Sequence, residues 1–500
     1  MRPTTRLLRD ELIDQIIAEA REVMCKLGIE IHNKPVLSML ADYGARVEED
    51  TCYAYFTEAI VDKALATVPH SFKLFDVLGN ETHDFKGDNV YFTPGSTSLH
   101  ILDSHGEMRK ATTADYIRYA KLVSVLPNLA SQSTALISAD VHDAISDSYR
   151  LYLSLLYGEK PVVTGAFTIE SFEVMKNMQV AVRGSESALR AKPLTVFSCC
   201  PTAPLKWSDV TSQNLVDCSR WSIPVEFISM PLSGFVAPVT LVGSLIQQTA
   251  ETLSGVVISQ LVNPGHAILY GGSPAVFDIR FATTPMGAIE TMMLDCGNSE
   301  IGKRLGMPTQ SYIAFSDAKQ LDAQAGLESG IGAILAALSG INSVSGPGML
   351  DFESCLSLEK LVVDDEICGM AYRLLRGIQP REDFPSAPLF EELRSKKHLL
   401  VAPHTRRHLR EEITFPGPVI DRANRERWLE QGKLTLVERA EREVARLVAT
   451  YKPSRLPEQT KHELTRLMQC EAKRYGREAL PARDEEAAQN NSREYAGANY

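Results

Sequence analysis

From about residue 90 onward, short apolar segments alternate with longer amphipathic ones. The short segments are rich in β-branched and aromatic residues, which is typical of buried strands, and the longer segments carry apolar residues at helical spacing. The strand candidates are VYFTPG (90–95), LASQSTAL (129–136), PVVTGAF (161–167), LTVFSCC (194–200), PVEFISM (224–230), HAILYGGS (266–273), SYIAFS (311–316) and INSVSG (341–346). Strict strand–helix alternation predicts parallel strands, and eight such units favour an α/β fold of the closed (β/α)8 TIM-barrel type.

The regions on either side of this alternation follow other patterns. Residues 1–88 predict an N-terminal extension of helices and short strands, and residues 89–377 form the predicted barrel. Residues 378–481 predict a C-terminal helical extension, in which Pro-bearing links separate charged helices. The polar tail, 482–500, has the composition of a disordered segment.

The densest group of candidate functional residues lies between Gln310 and Phe352. Ser316, Asp317, Lys319, Asp322 and Gln324 directly follow an apolar strand, although a purely structural turn needs one capping residue and a glycine. Active sites of barrel enzymes lie at the carboxyl ends of the strands. Helix capping is an equal alternative for Asp322, but it does not account for the other side chains.

The loops after the strands predict the rest of the site. The side chains expected there are Tyr91, Phe92, Ser133, Thr164, Ser198, Met230, Tyr270, Phe277, Arg280, Tyr312, Asp317, Lys319, Ser345 and Phe352. Many are aromatic and no nucleophile–base set is visible, which suits a site that binds a quaternary ammonium by ring faces. The alternative for each ring is ordinary packing. Arg280 could hold a substrate carboxylate or pair with Asp278.

Composition narrows the class of protein. The net charge of −11 argues against nucleic acid and anionic membranes as partners, and no apolar run is long enough to predict a transmembrane helix. Nine cysteines without a CxxC motif or zinc spacing predict reduced thiols in a cytoplasmic protein without a metal site.

Several segments together resemble a known family. They are LGIEIHN, YGGSPAVFDIRFATTP, SDAKQLDAQAGLESG, AALSGINSVSGPGMLDF, LEKLVVDDEICGM and HTRRHLREEITFPGPVIDR. The chain is similar along nearly its whole length to the trimethylamine methyltransferase superfamily, in particular to its branch without pyrrolysine. The resemblance implies a TIM barrel that transfers a methyl group from a methylated amine to the Co(I) corrinoid of a small partner protein, with no tightly bound cofactor of its own.

The absence of pyrrolysine favours a quaternary amine over trimethylamine. A quaternary amine leaves as a neutral amine, whereas a tertiary amine must first be activated. We therefore predict a glycine betaine–corrinoid protein methyltransferase that forms a homo-oligomer. The expected cage residues are Tyr91, Phe92, Tyr270, Tyr312 and Phe352. The expected carboxylate-side residues are Arg280 and Lys319, and the expected positioning residues are Asp317, Gln324 and Ser345.

Three alternatives remain open from the residues. The same reaction could use proline betaine, carnitine or γ-butyrobetaine. A different barrel enzyme, an aldolase or lyase, could use Lys319 as a Schiff-base nucleophile, although the neighbouring Asp317 favours the charged amine. The third alternative is a non-catalytic binding protein for betaine-type osmolytes.

Overall fold

The computed structural model describes residues 2–103, 105–477 and 479–483. The prediction for the tail falls mostly on residues 484–500, which lie outside the described residues. Among the described residues, no helix combines the length and apolar content needed to cross a membrane.

The N-terminal residues form helices and short strands that lie around the parallel strands of the central region. These elements are α1 (Asp10–Lys26), β1 (Ile29–Ile31), α2 (Lys34–Asp42), β2 (Arg46–Glu48), β3 (Tyr53–Tyr55), α3 (Glu58–Leu65), β4 (Phe72–Phe75) and β5 (Glu81–Phe85). Helices α1 and α2 each bury one apolar stripe, as amphipathic helices of a globular protein do. The strands β4 and β5 pair as an antiparallel hairpin.

The central region alternates strands and helices as the sequence predicts. It contains β6 (Tyr91–Thr93), β7 (His100–Leu102), β8 (Met108–Lys110), α4 (Thr113–Val125), β9 (Gln132–Ser133), α5 (Asp143–Tyr157), β10 (Val162–Thr164), α6 (Ser171–Arg183), α7 (Glu186–Ala191), β11 (Thr195–Cys199), β12 (Lys206–Trp207), α8 (Asp209–Trp221), β13 (Val225–Phe227), β14 (Leu232–Ser233), α9 (Leu241–Val262), β15 (Ile268–Leu269), β16 (Ala275–Val276), α10 (Ile289–Arg304), β17 (Gln310–Tyr312), α11 (Ala323–Ser339), β18 (Ser343–Ser345), β19 (Met349–Leu350), β20 (Cys355–Ser357) and α12 (Leu358–Leu375).

Residues beyond the central region form five helices. They are α13 (Ala387–Lys396), α14 (Pro403–Glu412), α15 (Arg425–Glu430), α16 (Leu436–Ala449) and α17 (Glu458–Arg474). Helix α16 packs on α12 and α4, and α17 packs on α5 and α6. Helices α13, α14 and α15 bury no residue.

The eight predicted strands are confirmed, and they pair in parallel. Strands β9, β10, β11, β13 and β15 form one sheet, and β6, β18 and β17 form another. Two isolated parallel bridges, Phe92 with Leu129 and Tyr270 with Thr309, join the edges of these sheets. The fold is therefore mixed α/β, with parallel strands and helical crossovers.

The two ends of the parallel strands are covered differently. At the amino end, Leu74 and Phe85 of the β4–β5 hairpin pack against the inward-facing Val163, Val196 and Leu269. At the carboxyl end, β7 and β8 join β19 and β20 in a four-stranded sheet. The amino end is therefore closed by an apolar plug, and the loops at the carboxyl end are left to form a site.

A buried lysine holds the amino end together. The Lys160 ammonium, just before β10, donates hydrogen bonds to the backbone carbonyls of Val123, Leu126 and Leu129, at 2.8, 2.6 and 2.6 Å. These carbonyls belong to the end of α4 and the segment leading into β9. One side chain thus joins a helix end to two neighbouring strands.

We expect Lys160→Met to lower the free energy of unfolding by about 3 kcal/mol, because three buried carbonyls would lose a charged donor. The measurement is urea denaturation followed by circular dichroism. Lys86→Met, at an exposed lysine, is the control and should change stability by less than about 0.5 kcal/mol. Equal stabilities for the two variants would contradict the role given to Lys160.

Candidate active site

A buried glutamate lies among the carboxyl ends of the parallel strands. Glu226, in the middle of β13, is fully buried and is paired in register with Ser198 on one side and Leu269 on the other. Since side chains of paired residues point to the same face, Glu226 shares the inward direction of Leu269. The Ser198 hydroxyl donates to Oε1 at 2.7 Å, and Oε2 is buried without a hydrogen-bond partner.

Tyr312 connects this glutamate to a second buried acid. Its phenol interacts electrostatically with Glu226, Glu353 and Cys200, and burial holds the pKa of the phenol well above its usual range. The Oε1 atom of Glu353 is also buried without a partner. Burial raises the pKa of Glu226 to about 7, and burial together with the nearby Asp317 raises the pKa of Glu353 to about 8. Burial therefore shifts both carboxyl groups toward their protonated forms near neutral pH.

An open cleft, the rim of the site, lies beside Glu353, because it is lined by the adjacent Phe352 and by Asp317, which interacts with Glu353. Its volume is about 710 Å³. It is lined by Val276, Phe277, Asp278, Ile279, Arg280, Phe281, Thr283, Pro285, Ala288, Glu290, Asp317, Lys319, Gln324, Glu328 and Phe352. Two other cavities, of about 480 and 730 Å³, share residues 415–418 and lie against the C-terminal helices, where no strand ends.

Asp317 fixes the loop that forms one wall of the cleft. Its Oδ1 accepts the Met286 N–H at 3.0 Å and its Oδ2 accepts the Gly287 N–H at 2.8 Å. Its own N–H donates to Glu328 at 2.9 Å. Burial, opposed by the Gly287 hydrogen bond and reinforced by the charge of Glu328, raises the pKa of Asp317 to about 6. Asp317 therefore holds the 286–287 backbone in place, and its predicted role toward a substrate stays a prediction.

Lys319 is a cation on the rim of this acidic site. Its ammonium donates to the Asp317 carbonyl at 2.6 Å, lies 3.5 Å from the Asp351 carboxylate and sits 3.8 Å from the centre of the Phe352 ring. The side chain is 61% exposed. An exposed, ion-paired ammonium is not the desolvated amine that a Schiff-base nucleophile requires, so the geometry does not support the aldolase alternative.

The turn that carries three of these groups is strained. Asp351, Phe352 and Glu353 have φ angles of 49°, 55° and 65°, in the left-handed region that non-glycine residues seldom adopt. Such backbone strain clusters at functional sites, where the surrounding structure holds it. Here it places the Phe352 ring over Lys319 and the Glu353 carboxyl group among the strand ends.

Several predicted residues do come together. Tyr312, Asp317, Lys319 and Phe352 lie at the site, as does Ser345, which is paired in register with Tyr312 and has a buried hydroxyl without a partner. Gln324 lies on the cleft wall, where its amide donates to Glu328 at 2.9 Å. The capping role of Asp322 is confirmed, because its carboxylate accepts the N–H groups of Gln324 and Ala325.

The remaining predicted loop residues divide between the cleft and the surrounding walls. Phe277 lines the cleft and stacks on Phe235 with ring centres 4.8 Å apart. Met230 is partly exposed on the loop after β13. The Ser133 hydroxyl donates to the Gly95 carbonyl, and Thr164 accepts from Thr134, so these two hydroxyls have structural partners.

Three predicted cage residues lie elsewhere, so these predictions were wrong. Tyr91 faces the amino-end plug, with its ring 4.4 Å from that of His83. Phe92 packs edge-on against Tyr372 of α12. Tyr270 is fully buried and packs against Gly302 of α10. All three rings serve packing, the alternative that the sequence left open.

Arg280 lies at the cleft but already has a partner. Its guanidinium makes a two-pronged ion pair with Asp278, at 3.0 and 2.6 Å, and its side chain is 76% exposed. The Arg280 hydrogen bonds hold the pKa of Asp278 down, at about 2. The structure therefore favours the pairing with Asp278 over the predicted binding of a substrate carboxylate.

Sequence reasoning missed the two buried acids. The signal for Glu226 was a charged residue inside the apolar strand PVEFISM, since a strand buried on both faces seldom carries one. Glu353 carries no such signal, because the left-handed turn that aims it inward has no glycine to mark it. Among the described residues, no group of three or more His, Cys, Asp and Glu side chains is arranged to hold a metal ion.

Similarity to known proteins places the chain among the methyltransferases. The glycine betaine methyltransferase of Desulfitobacterium hafniense strain Y51 is 27% identical over 478 residues, covering 95% of this chain and 99% of the relative. The trimethylamine methyltransferase MttB of Desulfitobacterium hafniense strain DSM 10664 / DCB-2 is 26% identical over 468 residues, covering 93% and 94%. The chain belongs to the trimethylamine methyltransferase (MTTB) family, whose profile matches residues 1–475. The predicted family is confirmed, and the protein is a methyltransferase enzyme.

A solved structure shows a weaker likeness. The crystal structure of the Methanosarcina barkeri monomethylamine methyltransferase (MtmB) matches 93% of this chain and 88% of that chain, with 10% sequence identity and a TM-score of 0.49. That value is too low to establish a shared fold.

The strained turn yields a prediction about stability. At most positions a glycine variant of a protein is less stable than the alanine variant. Because Phe352 has a positive φ, we expect the opposite order here: Phe352→Gly should be more stable than Phe352→Ala by about 0.5–1 kcal/mol. Both variants lack the ring, so the comparison isolates the backbone. Thermal unfolding of the pair measures the difference, and a more stable alanine variant would show that the turn is not strained.

Proposed function

We propose that this enzyme transfers a methyl group from a quaternary amine, with glycine betaine the favoured substrate, to the Co(I) corrinoid of a separate small protein. The family and a relative named for glycine betaine support the reaction class. The observation that carries the choice of a quaternary amine is the pair of buried acids, Glu226 and Glu353, each with an oxygen left without a partner.

The acidic interior suits a cation. Among the described residues, neither Glu226 nor Glu353 has a Lys, Arg or His side chain as a hydrogen-bond or ion-pair partner. Tyr312 adds an aromatic ring next to both acids, and a quaternary ammonium binds to ring faces and to carboxylates without donating hydrogen bonds. We infer that the ammonium group binds next to these three side chains.

A betaine also carries a carboxylate, which needs a cation. Lys319 on the rim is a cation close to the acidic interior, since Asp317 interacts electrostatically with both Lys319 and Glu353. We infer that the substrate carboxylate turns toward Lys319 while the ammonium lies deeper. This arrangement would orient the substrate before transfer.

The chain itself has little chemistry to perform. The departing amine is neutral once the methyl group is gone, so no general acid is needed for the N–C bond to break. The corrinoid, as a co-substrate carried by its partner, supplies the nucleophile when the partner docks. The enzyme's side chains bind the amine, aim one methyl group and exclude water.

The rim offers a surface for such a partner. Phe235, Ile279 and Phe281 are 66%, 80% and 73% exposed, on the loops after β14 and β16 at the carboxyl end of the strands. Exposed apolar groups beside a site are typical of protein interaction surfaces. We infer that the corrinoid protein covers this rim during transfer.

We further propose that the parallel strands close into one (β/α)8 barrel spanning residues 89–377. The bridges of Phe92 with Leu129 and of Tyr270 with Thr309 support this closure. The same proposal places an extension at 1–88 on one side and a helical extension at 378–481 on the other. We also propose that the protein is cytoplasmic.

A second copy of the chain is the proposed partner of the C-terminal extension. Ile378, Phe384 and Leu400 are 93%, 84% and 78% exposed, and the helices between residues 387 and 430 bury no residue. Such apolar exposure is unusual for a protein that stays monomeric.

The reaction is tested by mixing the enzyme with its corrinoid protein in the Co(I) state and a panel of glycine betaine, proline betaine, carnitine, γ-butyrobetaine and trimethylamine. We expect loss of the Co(I) absorption band with a betaine and no change with trimethylamine. A different betaine as the best donor would correct the substrate but not the reaction. Tight binding of a betaine without any change at cobalt would support the binding-protein alternative.

The role of Lys319 predicts a selective effect. We expect Lys319→Met to raise the KM for glycine betaine by about tenfold, from loss of a partly exposed charge pair, and to leave the KM for choline nearly unchanged. Steady-state methyl transfer with both donors measures the ratio. Lys319→Arg keeps the charge and is the control; an equal loss for both donors would contradict the assignment.

A further inference from the structure

We propose that the site exchanges a proton for its ligand: a quaternary ammonium binds next to Glu226 and displaces the proton that this carboxyl group carries in the empty enzyme. The inference rests on the proposed function, because it takes the ligand to be a quaternary amine. It adds a linkage between binding and pH that does not involve the corrinoid protein.

A ligand at Glu226 would meet one carboxyl oxygen that has no hydrogen-bond partner to lose. The side chain is fully buried on β13, and the Ser198 hydroxyl holds Oε1 at 2.7 Å. Oε2 has no hydrogen-bond partner among the described residues. A buried polar atom without a partner is rare in folded proteins, and a ligand is one of its physical explanations.

The groups that face Glu226 cannot neutralise a negative charge. They are the thiol of Cys200, directly after β11, and from β17 the phenol of Tyr312, which also interacts with Glu353. A thiol, a phenol and a carboxyl group carry no positive charge in either protonation state, and burial together with Asp317 raises the pKa of Glu353 to about 8. An ionised Glu226 would therefore be a buried charge without a counterion.

A quaternary ammonium supplies the missing counterion and has no N–H group of its own. Without a ligand, the pKa of Glu226 is about 7. An opposite charge within about 4–6 Å lowers the pKa of a carboxyl group by roughly 1–3. Binding therefore moves the pKa of Glu226 below neutral, and the proton leaves to solvent. No bond other than this O–H bond breaks. A neutral carboxyl group is replaced by an ion pair between the carboxylate and the ammonium.

This exchange determines the direction in which the affinity for the ligand changes with pH. Protonated Glu226 competes with the cation, so affinity rises with pH while the empty site is still protonated. Between about pH 5.5 and 7 we expect the dissociation constant to fall by severalfold per pH unit, and above about pH 8 to become independent of Glu226. Asp317, with a pKa of about 6, and Glu353 can add to the slope, so variants must separate the three groups.

The experiment is isothermal titration calorimetry of glycine betaine into the full-length enzyme at pH 6.5, without the corrinoid protein. Titrations in buffers with different ionisation enthalpies count the protons released. We expect roughly 0.5–1 proton per ligand for the wild type. For Glu226→Gln we expect weaker binding and a release that falls by more than half.

Asp295→Asn is the matched control. Asp295 on α10 is likewise fully buried, accepts a hydrogen bond from Ser311 at 2.6 Å and leaves its second oxygen without a partner, but it lies between α10 and β17. Because Asp295 interacts electrostatically with Glu353, its substitution can alter proton release slightly, but we expect a fall of less than half, against more than half for Glu226→Gln. Infrared difference spectra of the wild type give an independent readout, because ligand binding should remove a protonated-carboxyl band.

The outcomes separate the two levels of inference. Betaine binding without proton release, or undiminished release from Glu226→Gln, overturns the exchange at Glu226 and leaves the methyltransferase proposal intact. Failure of the whole quaternary-amine panel to bind overturns the substrate proposal itself. If Glu226→Gln does not fold, the absence of a lost carboxyl band in the wild type still refutes the exchange.

Discussion

Carboxylates on the surrounding helices and loops hold the backbone at the strand ends, and the candidate site depends on these bonds. The strands are only a few residues long, so their own ladders cannot position the loops that follow. Asp364 of α12 accepts the Gly348 N–H, Asp147 of α5 accepts the Phe167 N–H, and Asp317 holds the 286–287 segment. A hydrogen bond to a charged group contributes about 1.5–3 kcal/mol, roughly twice a neutral one.

The buried acids fall into two groups that differ in their partners. Asp364 has the buried Lys360 ammonium beside it, and Asp147 has the Arg150 guanidinium at 2.8 Å. These pairs are structural, because removing one member would leave an uncompensated charge. Glu226 and Glu353 have no such cation. Asp295, between α10 and β17, also has no cation among the described residues, so what distinguishes Glu226 and Glu353 is their place at the strand ends beside Tyr312.

Sequence reasoning succeeded where one local pattern decides the outcome. The eight strands and the capping role of Asp322 follow from periodicity and from the hydrogen-bond chemistry of a helix start, both of which act over a few residues. The sequence placed Asp317 and Lys319 at the carboxyl end of β17 because polar side chains directly after a strand must lie at its carboxyl end. Tyr91, Phe92 and Tyr270 were misplaced because strands buried on both faces show no alternation of polar and apolar residues.

The sequence alone determined the family, the strand–helix order and the end of the strands at which the polar residues gather. These properties depend on neighbours along the chain. The tertiary structure decided which side chains face inward, because a shift of one residue in strand register exchanges the two faces. It also decided which acids are left without a cation: Glu226 meets Ser198 and Tyr312 only through strand pairing, and Glu353 is aimed inward only by a strained turn that the packing around it holds in place.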